Sequence, residues 1–266
     1  MSNNHFSGFA NTISKKGFTV NNINQQQALS DLLEFLRMPL DSTDAIFTKF
    51  ASIAGAIEYR STTNSKQRFV YIQGTRSDRV VLVAHADTVR DEEYGNIKNN
   101  YPKLSIDNGI VTNTRGDILG ADDRAGCAIL WQLRQLGHSL LIIDGEEQSC
   151  IGSKWLKAEF PHIAKELNQH QFMLQFDRCN GNDFKCYEVG NDAFRKYIQK
   201  QTNYSEPDRF AYTDICILCE KICGANLSIG YYLEHTRNEY LVLDEWLQTL
   251  LLMQQMLSAK LPRFEL

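Results

Sequence analysis

Three apolar runs in this sequence each lead into acids or an imidazole: "VVLVA" into His85 and Asp87, "LIID" into Glu146 and Glu147, and "MLQF" into Asp177. Asp122 and Asp123 stand at the start of a helical pattern in "GADDRAG", and His235 lies in "GYYLEHTRNEY", ahead of the last helix. Taken singly, each has an ordinary role. His85 reads as a satisfied strand-end histidine, Asp87 and Asp177 as turn residues, and Asp122 and Asp123 as helix caps. Glu146 and Glu147 read as acids favoured by the dipole of a first helical turn, and His235 as a surface residue. Gathered at one edge of a sheet, the same side chains pose a problem. Carboxylates crowded into a crevice repel one another and are costly to desolvate unless cations lie between them. Metal ions resolve that conflict.

A sheet has to carry these positions. "VVLVA" is rich in β-branched residues without polar alternation, which predicts a central strand of a parallel sheet covered by helices on both faces. Ligands of such sheets bind at the carboxyl ends of the strands, where His85 and Asp87 fall. Upstream, a helix is expected over residues 27–37, ended by Pro39, and another in "DSTDAIFTKFASIAG", with Ser42 or Thr43 as cap and Gly55 past its end. "AIEYRS", "RFVYIQG" and "RVVLVA" read as strands. Residues 91–120 form a polar, loop-rich excursion with short strands near 103–105 and 110–112. Beyond "GADD" come a helix in "RAGCAILWQLRQL", a strand in "SLLIID", a helix after "GEEQSC", and strands in "FMLQFD" and "FKCYEV". Helices in "DAFRKYIQKQ" and "TDICILCEKI", a strand in "ANLSIG" and an amphipathic helix in "EYLVLDEWLQTLLLMQQML" complete the chain. This alternation predicts an α/β class, with helices on both sides of a mixed, largely parallel central sheet in a single domain over 1–266.

Composition narrows the partners. With 266 residues, 43% of them hydrophobic and 23% charged, the chain can bury one sizeable core. A formal charge of −4 and the lack of any basic run interleaved with aromatics argue against nucleic acid and anionic lipid. No apolar stretch has the length of a signal-peptide core or a membrane span, so the expectation is a soluble, cytoplasmic chain. In that reducing setting the seven cysteines read as small buried hydrophobes. Cys216, Cys219 and Cys223 follow helical spacing and join an apolar stripe; the second CxxC or histidine pair of a structural zinc site is lacking.

Together "HAD" after its strand, "GADDRAG", "DGEE" with "IGS", a strand ending in "FD" and a late "EHT" resemble the zinc-dependent exopeptidases of the M28 aminopeptidase family and its M20 and M42 relatives. The resemblance spans about residues 28–258. It implies the three-layer α/β/α exopeptidase fold and two divalent metal ions, zinc first, with manganese or cobalt fitting similar donors. His85 and Asp177 would bind one ion, Glu147 and His235 the other, and Asp122 would bridge them. Glu146 would be the general base, and Asp87 would accept a hydrogen bond from the far ring N–H of His85 and orient it. The implied reaction is hydrolysis of an amide bond at the N-terminus of a peptide.

Only 58 positions separate Asp177 from His235 and 37 separate His85 from Asp122. The extra domains of M20 and M42 enzymes have no room there, so the layout resembles M28. The same fold admits rivals: a deacylase, a carboxypeptidase-like activity, a single-zinc glutaminyl cyclase, or a non-catalytic regulatory relative. The retention of all five ligands and Glu146 ranks the last of these low. Asp214, in "YTDICILCEKIC", is either a further site residue or a helix cap. Arg124 and Arg178 depart from the family pattern; they pair with acids near the site or with a substrate, or they face solvent. The acidic "DEEY" at 91–94 reads as a solvated loop rather than a binder of substrate ammonium. The oligomeric state is not legible.

Overall fold

The computed structural model describes residues 23–90, 100–208 and 212–266. The acidic loop at 91–94 lies outside the described residues. The first helix, α1 (Gln25–Leu36), begins two positions earlier than its apolar pattern because the Asn24 side chain accepts from the amides of Gln26 and Gln27. In α2 (Asp44–Ala51) Thr43 takes the cap position and Gly55 follows the end with φ of 83°. The Thr43 hydroxyl makes no cap bond, however. It donates instead to Asp144 at 2.7 Å.

The strands among the described residues are β1 (Ala56–Arg60), β2 (Arg68–Ile72), β3 (Val81–His85), β4 (Leu104–Asp107), β5 (Ile110–Asn113), β6 (Ser139–Ile143), β7 (Met173–Arg178), β8 (Phe184–Lys185), β9 (Gly224–Ser228), β10 (Tyr231–Tyr232) and β11 (Tyr240–Val242). Seven of them form the main sheet in the order β1-β2-β6-β3-β7-β9-β8. Its centre, β6-β3-β7-β9, is parallel, and the outer strands β1, β2 and β8 run antiparallel to their neighbours. The sheet is thus mixed with a parallel core, as its apolar runs predict.

Register brings the strand ends level. β3 pairs His85 with Ile143, so the segment holding Asp87 emerges beside the one holding Glu146 and Glu147. On the other side β3 pairs Val83 with Gln175, two residues before Asp177.

Helices cover both faces. Val81 and Val83 pack with Leu156 of α4 (Ile151–Glu159), with Ile163 and Leu167 of α5 (Pro161–Leu167), and with Ile215 and Leu218 of α7 (Asp214–Leu218). Leu82 and Ala84 face α1, α2, α3 (Ala121–Leu133), α6 (Asp192–Thr202) and α8 (Leu243–Ser258). Successive residues of β3 therefore enter different cores, and all five of them are buried. Full burial of one such aliphatic side chain contributes roughly 1.5–3 kcal/mol, so the sheet interior holds the strand ends in place.

Several expectations are corrected. "FKCYEV" is a strand only at Phe184–Lys185, and the chain then turns, with Tyr187 at φ of 50°. "TDICILCEKI" is helical only over Asp214–Leu218. Cys219 is already extended, at φ −78° and ψ 118°, so Cys216, Cys219 and Cys223 do not form one helical stripe. Cys219 and Cys223 still pack as small hydrophobes, each in a different core. "EYLV" belongs to a strand, and the last helix begins at Leu243. The loop-rich excursion also forms more structure than its polarity implies. β4 and β5 join β11 and β10 in a second, antiparallel sheet, a pairing that depends on residues more than a hundred positions away.

Candidate metal centre

His85 ends β3 with its ring wholly buried. Nδ1 lies 3.1 Å from the main-chain oxygen of Asp87 and 3.3 Å from its Oδ1, which leaves Nε2 facing inward. There Nε2 meets Asp122 Oδ1 at 3.1 Å and Asp177 Oδ1 at 3.2 Å. The Asp87 carboxylate has a second task. Its two oxygens accept the amides of Glu146 at 3.2 Å and Glu147 at 3.3 Å, so one side chain orients the histidine and the neighbouring turn together.

The two adjacent aspartates at the start of α3 divide their work. Asp123 accepts the Gly126 amide through Oδ1 at 3.0 Å and the His85 amide through Oδ2 at 3.1 Å, so it is the helix cap and a strap on β3. Asp122, joined to it by a cis peptide bond, is left free of that duty. Its Oδ1 faces His85 and its Oδ2 faces His235 Nε2 at 3.0 Å. His235 Nε2 also lies 3.1 Å from Glu147 Oε1. His235 sits in the turn between β10 and β11 at φ of 62°, and 48% of its side chain is exposed, so it forms the outer wall of the cluster.

Asp177 is held from below. Its Oδ2 accepts from Thr213 Oγ1 at 2.9 Å and from Gln175 Nε2 at 3.2 Å, and its amide donates to Asn226 Oδ1 at 2.9 Å. Oδ1 remains turned toward His85. Glu146 and Glu147 follow β6 through Gly145, whose φ is 75°. The next turn contains two further left-handed residues, Ser149 and Cys150, and leads into α4.

The electrostatics follow from crowding. Burial, reinforced by the charge of Asp177, pushes the Glu146 carboxyl up to about 10. Burial and the charge of Asp122 push Glu147 up to about 7. Hydrogen bonds to Asp122 and Glu147 lift His235 to about 11. Burial opposes a charged His85, but Asp177, Asp122 and Asp87 overcome it and hold the ring well above the usual histidine range. Protons thus play the part that crowded carboxylates demand of a cation. Among the described residues, two overlapping groups have ligand atoms within 4.8 Å of one another, His85 with Asp123 and Asp177, and His85 with Asp122 and Glu147. Both oxygens of Asp123 already accept main-chain amides, so Asp122 is the better donor of the pair. Glu147 Oε1 is buried and lies against His235 Nε2. Two imidazole nitrogens and three carboxylates make a donor set suited to divalent cations.

The remaining residues singled out in the sequence fall outside this set. Asp214 is fully buried and pushed up to about 7, chiefly by burial. It does not cap α7: the cap position is Thr213, whose hydroxyl serves Asp177. Neither arginine faces solvent. Arg124 is fully buried and donates to the carbonyls of Met38 and Pro39, and Arg178 pairs with Asp183 at 2.5 Å. Both are structural bonds away from the cluster.

Sequence reasoning also missed supports. Asn226 is a polar residue inside the apolar β9, a signal that was available. Glu239 had no such signal. Its carboxylate is buried and accepts four main-chain amides: Leu119 and Gly120 on Oε2, each at 2.8 Å, and Ala121 and Asp122 on Oε1, at 2.7 and 3.2 Å.

Residues 69–214 match the model of peptidase family M28. No curated protein matches the chain. Among solved structures, a tripeptidase from Staphylococcus aureus aligns over 89% of this chain and 98% of its own, with a TM-score of 0.64 at 14% identity. The aminopeptidase PepT from Bacillus cereus aligns over 88% and 98%, with a TM-score of 0.61 at 14% identity. An aminopeptidase from the archaeon Desulfurococcus kamchatkensis aligns over 90% and 96%, with a TM-score of 0.58 at 11% identity. At such identities the likeness is one of fold.

Proposed function

This chain belongs to peptidase family M28 and is a metal-dependent peptidase, and from that premise we propose that it is a two-metal aminopeptidase. The observation that carries this reading is the Asp122 carboxylate, with His85 on one oxygen and His235 on the other, flanked by Asp177 and Glu147. In this reading His85 and Asp177 hold one ion, Glu147 and His235 hold the second, and Asp122 serves both. Zinc suits the mixture of imidazole and carboxylate. The similar solved structures are of aminopeptidases and a tripeptidase, which is why a free peptide N-terminus is the substrate we favour. We also take residues 1–266 as one catalytic domain. The seven cysteines, none of them in a disulfide, fit a reducing cytoplasmic setting.

When bound, a pair of divalent ions supplies Lewis acidity toward the scissile carbonyl and makes water acidic enough to lose a proton near neutral pH. The protein does the rest. Glu146 is beside Glu147 yet outside the donor set, and cations among the neighbouring acids would offset the negative charge that raises its pKa, so that its carboxylate would be available to take a proton from the attacking water and return it to the leaving amine nitrogen. Asp87 keeps the His85 ring in one orientation and fixes the amides of Glu146 and Glu147, so base and donors move as a unit.

The test is hydrolysis of a panel of aminoacyl anilides by zinc-loaded protein, alongside Glu146→Gln. The expected result is release of anilide by the wild type and a loss of about 10²–10⁴-fold in kcat for the variant, with metal content unchanged. Equal activity in the variant rules out the assigned base. Release of ammonia from N-terminal glutamine by protein holding one ion would establish the cyclase reading instead.

A further inference from the structure

We infer that Glu239 is a positioning residue that sets the Asp122 carboxylate against His235 and thereby determines how tightly the site holds its metal ions. This inference rests on the two-ion reading of the cluster. The segment from Leu119 to Asp122 leads into the regular part of α3, which Asp123 caps; Asp122 and Asp123 still have non-helical φ/ψ, and the amides of the segment are buried. Buried main-chain amides outside regular helix or sheet need an acceptor of their own. Here the acceptor comes from 117 to 120 positions away, and a single carboxylate takes all four.

The source of that carboxylate is what links it to the site. Glu239 lies four positions after His235, at the foot of β11, and its own amide is tied back to Thr236 at 3.1 Å. The turn that carries His235 therefore touches the Asp122 segment twice, through the imidazole on Oδ2 and through the Glu239 carboxylate on the Asp122 amide. These contacts fix the side chain and the main chain of the same aspartate. Supports of this kind around metal donors change metal affinity by about 10–100-fold when lost.

Glu239→Gln replaces one oxygen with an NH2 group that faces two N–H donors, leaving two buried amides without an acceptor. Glu239→Asp keeps both oxygens and shortens the reach by one methylene. Asn191→Ala supplies the control: it removes the cap of α6, in which Asn191 Oδ1 accepts the Phe194 amide at 2.9 Å, and has no part in the cluster.

The experiment is a Zn(II) titration of the chelator-stripped full chain against a chromophoric competitor, with thermal melting run in parallel. Wild type is expected to bind two ions. Glu239→Gln is expected to weaken at least one of them by about tenfold or more, and Glu239→Asp to recover part of that loss. Asn191→Ala is expected to melt earlier while keeping both affinities. Wild-type affinities in Glu239→Gln overturn the inference and leave its carboxylate as an acceptor of buried amides only. A wild type that binds fewer than two ions overturns the reading of the site itself, which distinguishes the two failures. Should both Glu239 variants fail to fold, hydrogen exchange of the wild-type amides 119–122 decides: slower exchange on adding Zn(II) supports the coupling, and unchanged exchange overturns it.

Discussion

His235 Nε2 lies 3.0 Å from Asp122 Oδ2 although 113 positions separate the two residues. The other oxygen of the same carboxylate faces His85, so in the proposed two-ion reading Asp122 is the shared donor. Asp122→Asn is therefore expected to lower the metal content from two ions to one or none and to abolish peptidase activity. Elemental analysis of the zinc-reconstituted variant after gel filtration gives the count directly. Two ions retained would mean that Asp122 is not the shared donor.

Asp87 acts through others. Its carboxylate meets His85 Nδ1 and accepts the amides of Glu146 and Glu147, and it is almost completely buried. Asp87→Ala removes all three restraints while sparing every proposed ligand and the base. The expected outcome is metal binding weakened by about 10–100-fold and a lower kcat even at saturating zinc. A calorimetric titration that matches wild type would show that the main-chain oxygen of residue 87 is enough to orient His85.

Gly126 is a steric test of the same region. A Cβ there would lie 2.1 Å from Asp123 Oδ1 and 2.1 Å from the Phe176 carbonyl oxygen. Real side chains do not approach that closely, so Gly126→Ala must push Asp123 off the His85 amide or α3 off β7. The expected cost is about 1–3 kcal/mol or more, as for other overpacked cores. Denaturant midpoints should show it, together with weaker zinc binding. A variant of wild-type stability would mean that the start of α3 yields more easily than its packing implies.

His170 predicts a pH dependence away from the cluster. Its ring is buried, with Nε2 near Ser139 Oγ at 2.8 Å and Nδ1 near the carbonyls of Glu166 and Leu167, each at 3.1 Å. Burial lowers its pKa from the ordinary 6.5 to about 4. Between these values the unfolded chain binds a proton that the fold does not, so this stability is present above pH 6.5 and is lost as pH falls toward 4. The loss is about 3 kcal/mol at its largest. Urea unfolding with chelator present at pH 7 and pH 4.5 should show a smaller decline in His170→Gln than in wild type. Parallel declines would remove His170 as a source.

Much of the route to the site is legible in residue patterns, because apolar periodicity and caps act over a few positions. The unbroken "VVLVA" run marks β3 as a doubly covered strand, and acids or histidines after three such runs mark the edge where they meet. The errors have equally local causes. "EYLV" continues the apolar pattern of the helix that follows it, and only pairing with β10 and β5 makes Tyr240–Val242 a strand. Likewise "TDICILCEKI" has helical spacing throughout, yet the chain leaves the helix after Leu218 to enter β9.

What composition and motif determined by themselves was the α/β class, the parallel centre of the sheet and the set of side chains brought together at its edge. Tertiary structure alone decided the division of labour among them. Asp122 and Asp123 are the same residue type in adjacent positions, and only the nearby amides of His85 and Gly126 make one a cap and leave the other facing two histidines. Glu239 was unreadable for a related reason: its partners are main-chain amides, which every non-proline residue carries and no side-chain pattern records. Contacts of that kind exist only once the chain has closed on itself.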